Sequence, residues 1–205
     1  ILSIISGNVQ LLERTYKGHD GLTEALRTIK KAAFDGAKIS GNMLKFTGTN
    51  KDCAEFVSSD IRDLIIQSID FTKPRWQNEA QANGINYKMD TEGMKSVPLI
   101  LCSPTELREV FVNITINAFN AMPEGGSISF NTWSKEDTIF ISISDTGIGM
   151  TDETKKKIFD PFFTTRRPIG TGLGMSITYG IISRHGGEVE VESTVGNGST
   201  FTLQL

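Results

Sequence analysis

The apolar residues of this chain change their period once, and that change divides what it can fold into. Up to residue 47 they recur every three or four positions; beyond it they fall into short strand-like runs set between helical ones. Leu2, Ile5, Val9, Leu12 and Tyr16 make one helical stripe. Gly18-His19-Asp20-Gly21 interrupts it, with Asp20 placed to cap a second helix. Leu22, Leu26, Ile29, Ala33, Gly36, Ser40, Met43 and Thr47 make the stripe of that helix. Two such helices joined by a short turn form an antiparallel hairpin over residues 1–47. Neither stripe can be covered by the other alone, and Ala33, Gly36 and Ser40 are small enough to let helices approach. The spacing therefore favours a dimeric four-helix bundle over a hairpin that simply packs on the rest of the chain.

Thr47-Gly48-Thr49-Asn50 ends the helical pattern, and residues 48–52 read as a linker to a second domain over 53–205. In that domain the patterning predicts strands at Cys53–Val57, Ile85–Asp90, Val97–Cys102, Ser127–Trp133, Thr138–Ser144, Glu188–Ser193 and Thr200–Leu205. Helices are expected over Ser59–Gln81, with a possible kink at Pro74, from Pro104 to about Met122, and from about Thr171. Strands and helices that do not follow a βαβ order give an α+β fold: a two-layer sandwich of one mixed sheet with helices on one face.

Composition narrows the partners. With 205 residues, 38% hydrophobic and 22% charged, the chain can bury a core, and its formal charge of −3 gives no general attraction to nucleic acid. No apolar run approaches the ~18 residues that a membrane span needs, so no membrane contact is expected of these residues. Cys53 and Cys102 stand far apart with no CxxC spacing, which argues for packing thiols in a reducing, cytoplasmic compartment rather than a metal site or disulfide. The chain opens at Ile1 in mid-pattern and reads as a piece of something longer.

Four clusters carry chemistry. In Glu109-Val-Phe-Val-Asn113-Ile-Thr-Ile-Asn117, the polar residues recur every four positions and share one face of a helix that is otherwise apolar. A carboxylate and two amides there suit Mg²⁺ and phosphate oxygens, or make a plain exposed face. Asp145-Thr-Gly147-Ile-Gly149-Met150 follows an apolar strand. An acceptor-only carboxylate before two glycines can meet an exocyclic amino group while backbone closes on a flat ring; it is as often an ordinary turn. Ile158-Phe159-Asp160-Pro161-Phe162-Phe163-Thr164-Thr165 reads equally as core or as the anchor of a loop over a pocket. Gly170-Thr171-Gly172-Leu173-Gly174-Met175 runs straight into an apolar helix, where backbone N–H groups can point at an anion. It has neither the GK[ST] of a phosphate-binding P-loop nor the βαβ setting of a dinucleotide fingerprint. Arg166 and Arg167 just before it can neutralise phosphate charge or sit solvated.

Together and in this order, the clusters resemble the N, G1, F and G2 boxes of the sensor histidine kinase catalytic domain. That domain belongs to the wider GHKL ATPase group of gyrase, the heat-shock chaperone of ninety kilodaltons and the MutL proteins. The resemblance runs over residues 53–205 and takes in Pro104-Thr-Glu-Leu107, Arg184-His-Gly-Gly187 and Gly196-Asn-Gly198-Ser-Thr200-Phe201. It implies an ATP pocket in which Asn113 holds Mg²⁺ and Glu109 and Asn117 support the metal and phosphates. It places Asp145 on the adenine amino group, with Gly147 and Gly149 shaping that pocket and Thr200 near the base. Gly170, Thr171, Gly172, Leu173 and Gly174 lie along the phosphates, with backbone donors at Gly172, Leu173 and Gly174. One departure is the lid. Only Arg166-Arg167-Pro168-Ile169 separate Thr165 from Gly170, and arginines stand where the family commonly has lysine.

The hairpin resembles the dimerisation and phosphotransfer domain of the same kinases. In one branch the acceptor lies in a His-Asp-x-Asn-Asn stretch followed by text like Ile1-Leu-Ser-Ile-Ile-Ser-Gly-Asn8, which places the acceptor just before Ile1. His19 sits in the breaker cluster, and His185 ends a helix, where a cation is favourable; neither suits the acceptor's role. The resemblance thus implies a protein-histidine kinase, dimeric through its hairpin, that relays phosphate to a response-regulator receiver domain. Rivals are a clamp ATPase of the same group, or a module that binds ATP without turnover. Clamp ATPases usually need a lysine from a following transducer domain, whereas this sequence runs to Leu205 with a helical hairpin in front, which disfavours the first.

Overall fold

Asp20 opens the second of two N-terminal helices, α1 (Leu2–Thr15) and α2 (Asp20–Phe46), in a computed structural model that describes residues 2–16, 20–46, 55–79, 84–166 and 170–205. The chain divides into two compact units, Ile1–Lys51 and Asp52–Leu205. In the first, Lys30 Nζ lies 2.9 Å from Glu13 Oε2, which fits two helices running antiparallel. Val9, Leu26 and Ala33 are buried between them, whereas Ile4, Leu11, Tyr16, Leu22 and Ile29 remain exposed. The pair therefore leaves much apolar surface uncovered, including Tyr16, Leu22 and Ile29 of the predicted stripes. The expected linker at 48–52, Cys53 and His19 lie outside the described residues.

The second unit starts with β1 (Val57–Ser59), later than the predicted 53–57, because its pairing partner β3 (Ile100–Cys102) sets its length: Val57 opposes Cys102 and Ser59 opposes Ile100. Asp60 caps α3 (Ile61–Lys73), its carboxylate accepting from the Arg62 N–H at 2.8 Å. The expected kink takes the form of a wider π-helical stretch, Pro74–Glu79, beginning at the residue that cannot donate to the helical ladder. After β2 (Tyr87–Asp90) comes α4 (Pro104–Ala121), with Pro104 in its first turn and Ser103 as its cap.

A hairpin of β4 (Gly126–Lys135) and β5 (Thr138–Asp145) is followed by α5 (Asp152–Lys157), a short charged helix that the apolar pattern does not reveal. α6 (Gly174–Arg184) starts three residues later than expected, since Gly172 is left-handed, with φ of +68°. β6 (Glu188–Ser193) and β7 (Ser199–Gln204) complete the described elements.

The predicted mixed sheet is present with helices on one face, and a second, two-stranded ladder accompanies it. β1 and β3 form their own antiparallel ladder, and the main sheet has five strands in the order β2-β4-β5-β7-β6. It is mixed: β2 runs parallel to β4 and the other pairs are antiparallel. Alternation puts Ile128, Phe130, Ile141, Ile143, Phe201 and Leu203 on one face, all buried. They join one core with Leu64 and Ile65 of α3, Val110, Phe111 and Ile114 of α4, and Ile181 and Ile182 of α6. Each such side chain contributes about 1.5–3 kcal/mol on leaving water, so helices gather on this face. The other face carries Ser129, Asn131, Ser144, Thr200 and Thr202, with Trp133 stacked on Phe140 at 5.2 Å.

His185 fixes the far end of α6. The Ser103 N–H donates to its Nε2 at 3.1 Å, and its Nδ1 lies 2.8 Å from the Ile181 carbonyl oxygen. A carbonyl can only accept and an N–H can only donate, so the ring is neutral with its proton on Nδ1. This corrects the expectation of a helix-terminal cation: the cation there is Arg184, 2.7 Å from Glu106. With both nitrogens engaged, Phe56 stacked on it and its side chain only 2% exposed, His185 cannot accept a phosphoryl group.

Candidate nucleotide site

Helix α4 is the common wall of the site. Its polar stripe of Glu109, Asn113 and Asn117 is half-buried, while the opposite stripe goes into the core. Asn113 Nδ2 donates to the Gly174 carbonyl at 3.3 Å, and its Oδ1, which can only accept, also lies beside the start of α6. A β-carbon on Gly174 would stand 3.8 Å from the Asn113 amide, so the N and G2 clusters face each other. α6 begins there with no side-chain cap; the Ser176 hydroxyl bonds back to the Leu173 carbonyl instead. Its first backbone N–H groups are thus left for another acceptor, at the positive end of the helix dipole. Leu173 is buried and anchors this turn.

The other end of α4 meets the G1 cluster. The Ile148 N–H donates to the Ala121 carbonyl at 3.0 Å, and a β-carbon on Gly147 would come within 2.8 Å of the Ala121 side chain. Asp145, at the end of β5, is buried and accepts from the Gly147 N–H at 2.8 Å. Burial pushes its carboxyl above 3.8, and the N–H groups of Gly147 and Ser199 pull the other way. Gly149 has φ of +66° and lies against the Thr194 and Gly198 carbonyls. From Asn113 to Ala121 the helix rises about 12 Å, which spaces the G2 and G1 clusters on the scale of a nucleotide.

The F cluster closes on the G2 cluster through backbone. The Phe162 N–H donates to the Gly172 carbonyl at 2.9 Å, and any β-carbon on Gly172 would run into Phe162 and Phe163. Phe162 itself is left-handed, with φ of +66°, a costly conformation for a bulky residue. Phe159 packs on Tyr179 of α6. The Arg166 carbonyl accepts from the Gly170 N–H at 2.9 Å, and Gly170 sits against Thr164. Thr171 is half-buried beside them. Arg166 is exposed, and Arg167 lies outside the described residues.

Thr200 does not join Asp145. It opposes Ser144, 2.8 Å away through their hydroxyls, on the outer face of the sheet. Strand alternation gives the place beside Asp145 to Ser199, which is buried and pairs with it in the ladder. Sequence reasoning did not single out Ser199 as the residue opposite Asp145; the signal was the strand period counted from the buried Phe201 and Leu203.

These features fit a nucleotide with its metal. Among the described residues no three His, Cys, Asp or Glu side chains cluster as a metal site. Magnesium commonly needs only one or two protein oxygens plus phosphate oxygens, and the Asn113 Oδ1 beside an uncapped helix supplies such an arrangement.

Comparison with known proteins agrees. Residues 102–205 match the family described as histidine kinase-, DNA gyrase B-, and HSP90-like ATPase. The signal transduction histidine-protein kinase AtoS of Escherichia coli (strain K12) is 37% identical over 163 residues, covering 71% of this chain and 27% of that protein. Full-length ShkA in complex with AMPPNP superposes with a TM-score of 0.82 at 24% identity, over 99% of this chain and 42% of ShkA. The histidine kinase ThkA in complex with the response regulator protein TrrA gives a TM-score of 0.69 at 23% identity, over 99% of this chain and 56% of that one. The chain spans less than a third of the length of the curated relatives it matches. By its sequence match and its fold, the chain belongs to the histidine kinase-, DNA gyrase B- and HSP90-like ATPase family, and the relatives it resembles are histidine kinases.

Proposed function

We propose that the chain is the Mg–ATP-binding core of a cytoplasmic protein-histidine kinase in two-component signal transduction. The observation that carries this is the pairing of Asn113 with the uncapped start of α6 at one end of α4, and of Asp145 with Gly147 at the other. Asp145 accepts from the adenine amino group, Gly147 and Gly149 admit the ring, and the N–H groups from Gly172 to Gly174 hold phosphate oxygens. Magnesium, when bound, would supply charge neutralisation on the phosphates; Asn113 Oδ1 would hold it, with Glu109 and Asn117 in support. An imidazole nitrogen attacks the γ-phosphorus, the bond to the β-phosphate oxygen breaks and ADP leaves. The phosphoryl group then passes to an aspartate of a response-regulator receiver. Such transfer depends mainly on positioning and electrostatics, which is what these residues provide.

The exposed Ile4, Leu11, Tyr16, Leu22 and Ile29 support dimerisation through the hairpin, where a second copy would cover them. Titration with Mg–ATP tests the nucleotide reading. Asn113→Ala is expected to lose Mg–ATP affinity at least tenfold while the melting temperature changes little, because a half-buried amide adds little to the core. Unchanged affinity would refute the assignment.

A further inference from the structure

Ser193, the last residue of β6, touches three parts of the site at once, and none of the roles above includes it. Its hydroxyl donates to the Gly198 carbonyl at 2.8 Å, accepts from the Met150 N–H at 2.9 Å, and lies 3.0 Å from the Ser199 hydroxyl. A serine has one hydroxyl proton. The Gly198 carbonyl can only accept, so it takes that proton. The Met150 N–H can only donate, so it takes a lone pair. The proton in the Ser193–Ser199 contact is therefore the one on Ser199.

This fixes what Ser199 can offer elsewhere. With its proton directed at Ser193, Ser199 Oγ presents lone pairs only. Its ladder partner Asp145 presents a carboxylate, also acceptor-only, on the same face of the sheet. Two adjacent acceptors suit a base edge that donates. Adenine carries an amino group at the position where guanine carries an acceptor oxygen, so guanine meets lone pair with lone pair.

We infer that Ser193 is a specificity-determining positioning residue: without touching the nucleotide, it holds the Ser199 hydroxyl as an acceptor beside Asp145 and so favours adenine over guanine. The inference rests on the reading of Asp145 as the base-recognising residue. A purely structural Ser193 would affect all nucleotides alike; the one inferred here changes their ratio.

The test is calorimetric titration of the whole chain with Mg–ATP and Mg–GTP. Wild type should prefer ATP. In Ser193→Ala the Ser199 hydroxyl is free to turn and donate to the guanine oxygen, and the ATP:GTP preference should fall about tenfold, the worth of one hydrogen bond. Ser193→Thr keeps a hydroxyl and should keep the preference. In a Ser199→Ala background, Ser193→Ala should no longer change the ratio, because its intermediary is gone. Equal losses for both nucleotides in Ser193→Ala, or an unchanged ratio, would overturn the inference while leaving the nucleotide site in place. If Ser193→Ala does not fold, Ser199→Ala decides, since an unchanged ratio there is equally fatal. A wild type that binds no ATP would instead sink the reading of Asp145 on which this depends.

Discussion

Gly149 and Gly196 offer a controlled comparison, because they share a backbone conformation and differ in their surroundings. Both are left-handed, with φ of +66° and +84°, in turns joined by the Gly196 N–H donating to the Ile148 carbonyl at 2.8 Å. Alanine in that conformation costs about 1 kcal/mol at either position. At Gly196 nothing lies within 4 Å of the added β-carbon. At Gly149 the β-carbon would overlap the Thr194 carbonyl and stand 3.1 Å from the Gly198 oxygen. Both obstacles are backbone, so the β6–β7 turn must move off the end of β5. That movement strains or breaks the Gly196-to-Ile148 and Met150-to-Ser193 hydrogen bonds, at about 1 kcal/mol each. The sum is about 3 kcal/mol for Gly149→Ala against about 1 kcal/mol for Gly196→Ala.

For a unit of this size a kilocalorie shifts the melting temperature by about 2–4 °C. Calorimetric melting should therefore place Gly196→Ala about 3 °C below wild type and Gly149→Ala about 9 °C below it. In parallel titrations Gly196→Ala should bind Mg–ATP like wild type, and Gly149→Ala should lose at least tenfold, since the displaced turn carries Ser199 away from Asp145. Two variants with matching melting temperatures and matching affinities would show that the close approach at Gly149 does not shape the site.

Two more outcomes are expected of buried groups. Burial raises the Asp145 carboxyl above 3.8, so its contribution to stability is fully present below that pH and lost as pH rises through the folded value; base recognition needs the ionised form, so Mg–ATP affinity should fall as pH drops through that raised value, with proton release on binding. Titrations in buffers of different ionisation enthalpy would detect this, and Asp145→Asn should abolish the pH dependence along with most of the affinity. Thr178 on α6 is fully buried and its hydroxyl has no hydrogen-bond partner among the described residues, so Thr178→Val, close in volume, should raise stability by about 1 kcal/mol and the melting temperature by about 2–4 °C. A lower melting temperature would indicate that the hydroxyl is satisfied by a buried water.

The features legible in the sequence are local ones. The four-residue spacing of Glu109, Asn113 and Asn117 needs only helical geometry, and glycines at Gly147, Gly149 and Gly172 announce close approach because no other residue tolerates it. Pairing is not legible in the same way. β1 and β3 read as members of the main sheet because a strand's pattern does not name its partner. Thr200 falls opposite Ser144 rather than Asp145 because proximity in sequence says nothing of which face a residue takes; the register with β5 sets Ser199 opposite Asp145. α5 escapes because Asp152-Glu-Thr-Lys-Lys-Lys157 has no apolar stripe. Its signal is electrostatic, with a threonine cap, acids in the first turn and lysines in the last. His185 misleads for a related reason. Its protonation state is decided by Ser103, 82 positions away.

In the proposed site, the distance between base and phosphate is set by a helix rather than by loops. α4 holds Gly174 through Asn113 and the G1 turn through Ala121, and an α-helix changes length very little under load. α6 lies along it, tied at its start by Asn113 and at its end by Ser103 and Glu106, which engage His185 and Arg184. The phosphate-facing N–H groups of α6 thus sit on an element pinned at both ends to the wall that also positions the base turn. The F and G2 loops are fastened to each other by Phe162 and Gly172. In the proposed reading, donors held this way need little reorganisation when phosphate charge enters, and preorganised donors are where electrostatic stabilisation is strongest.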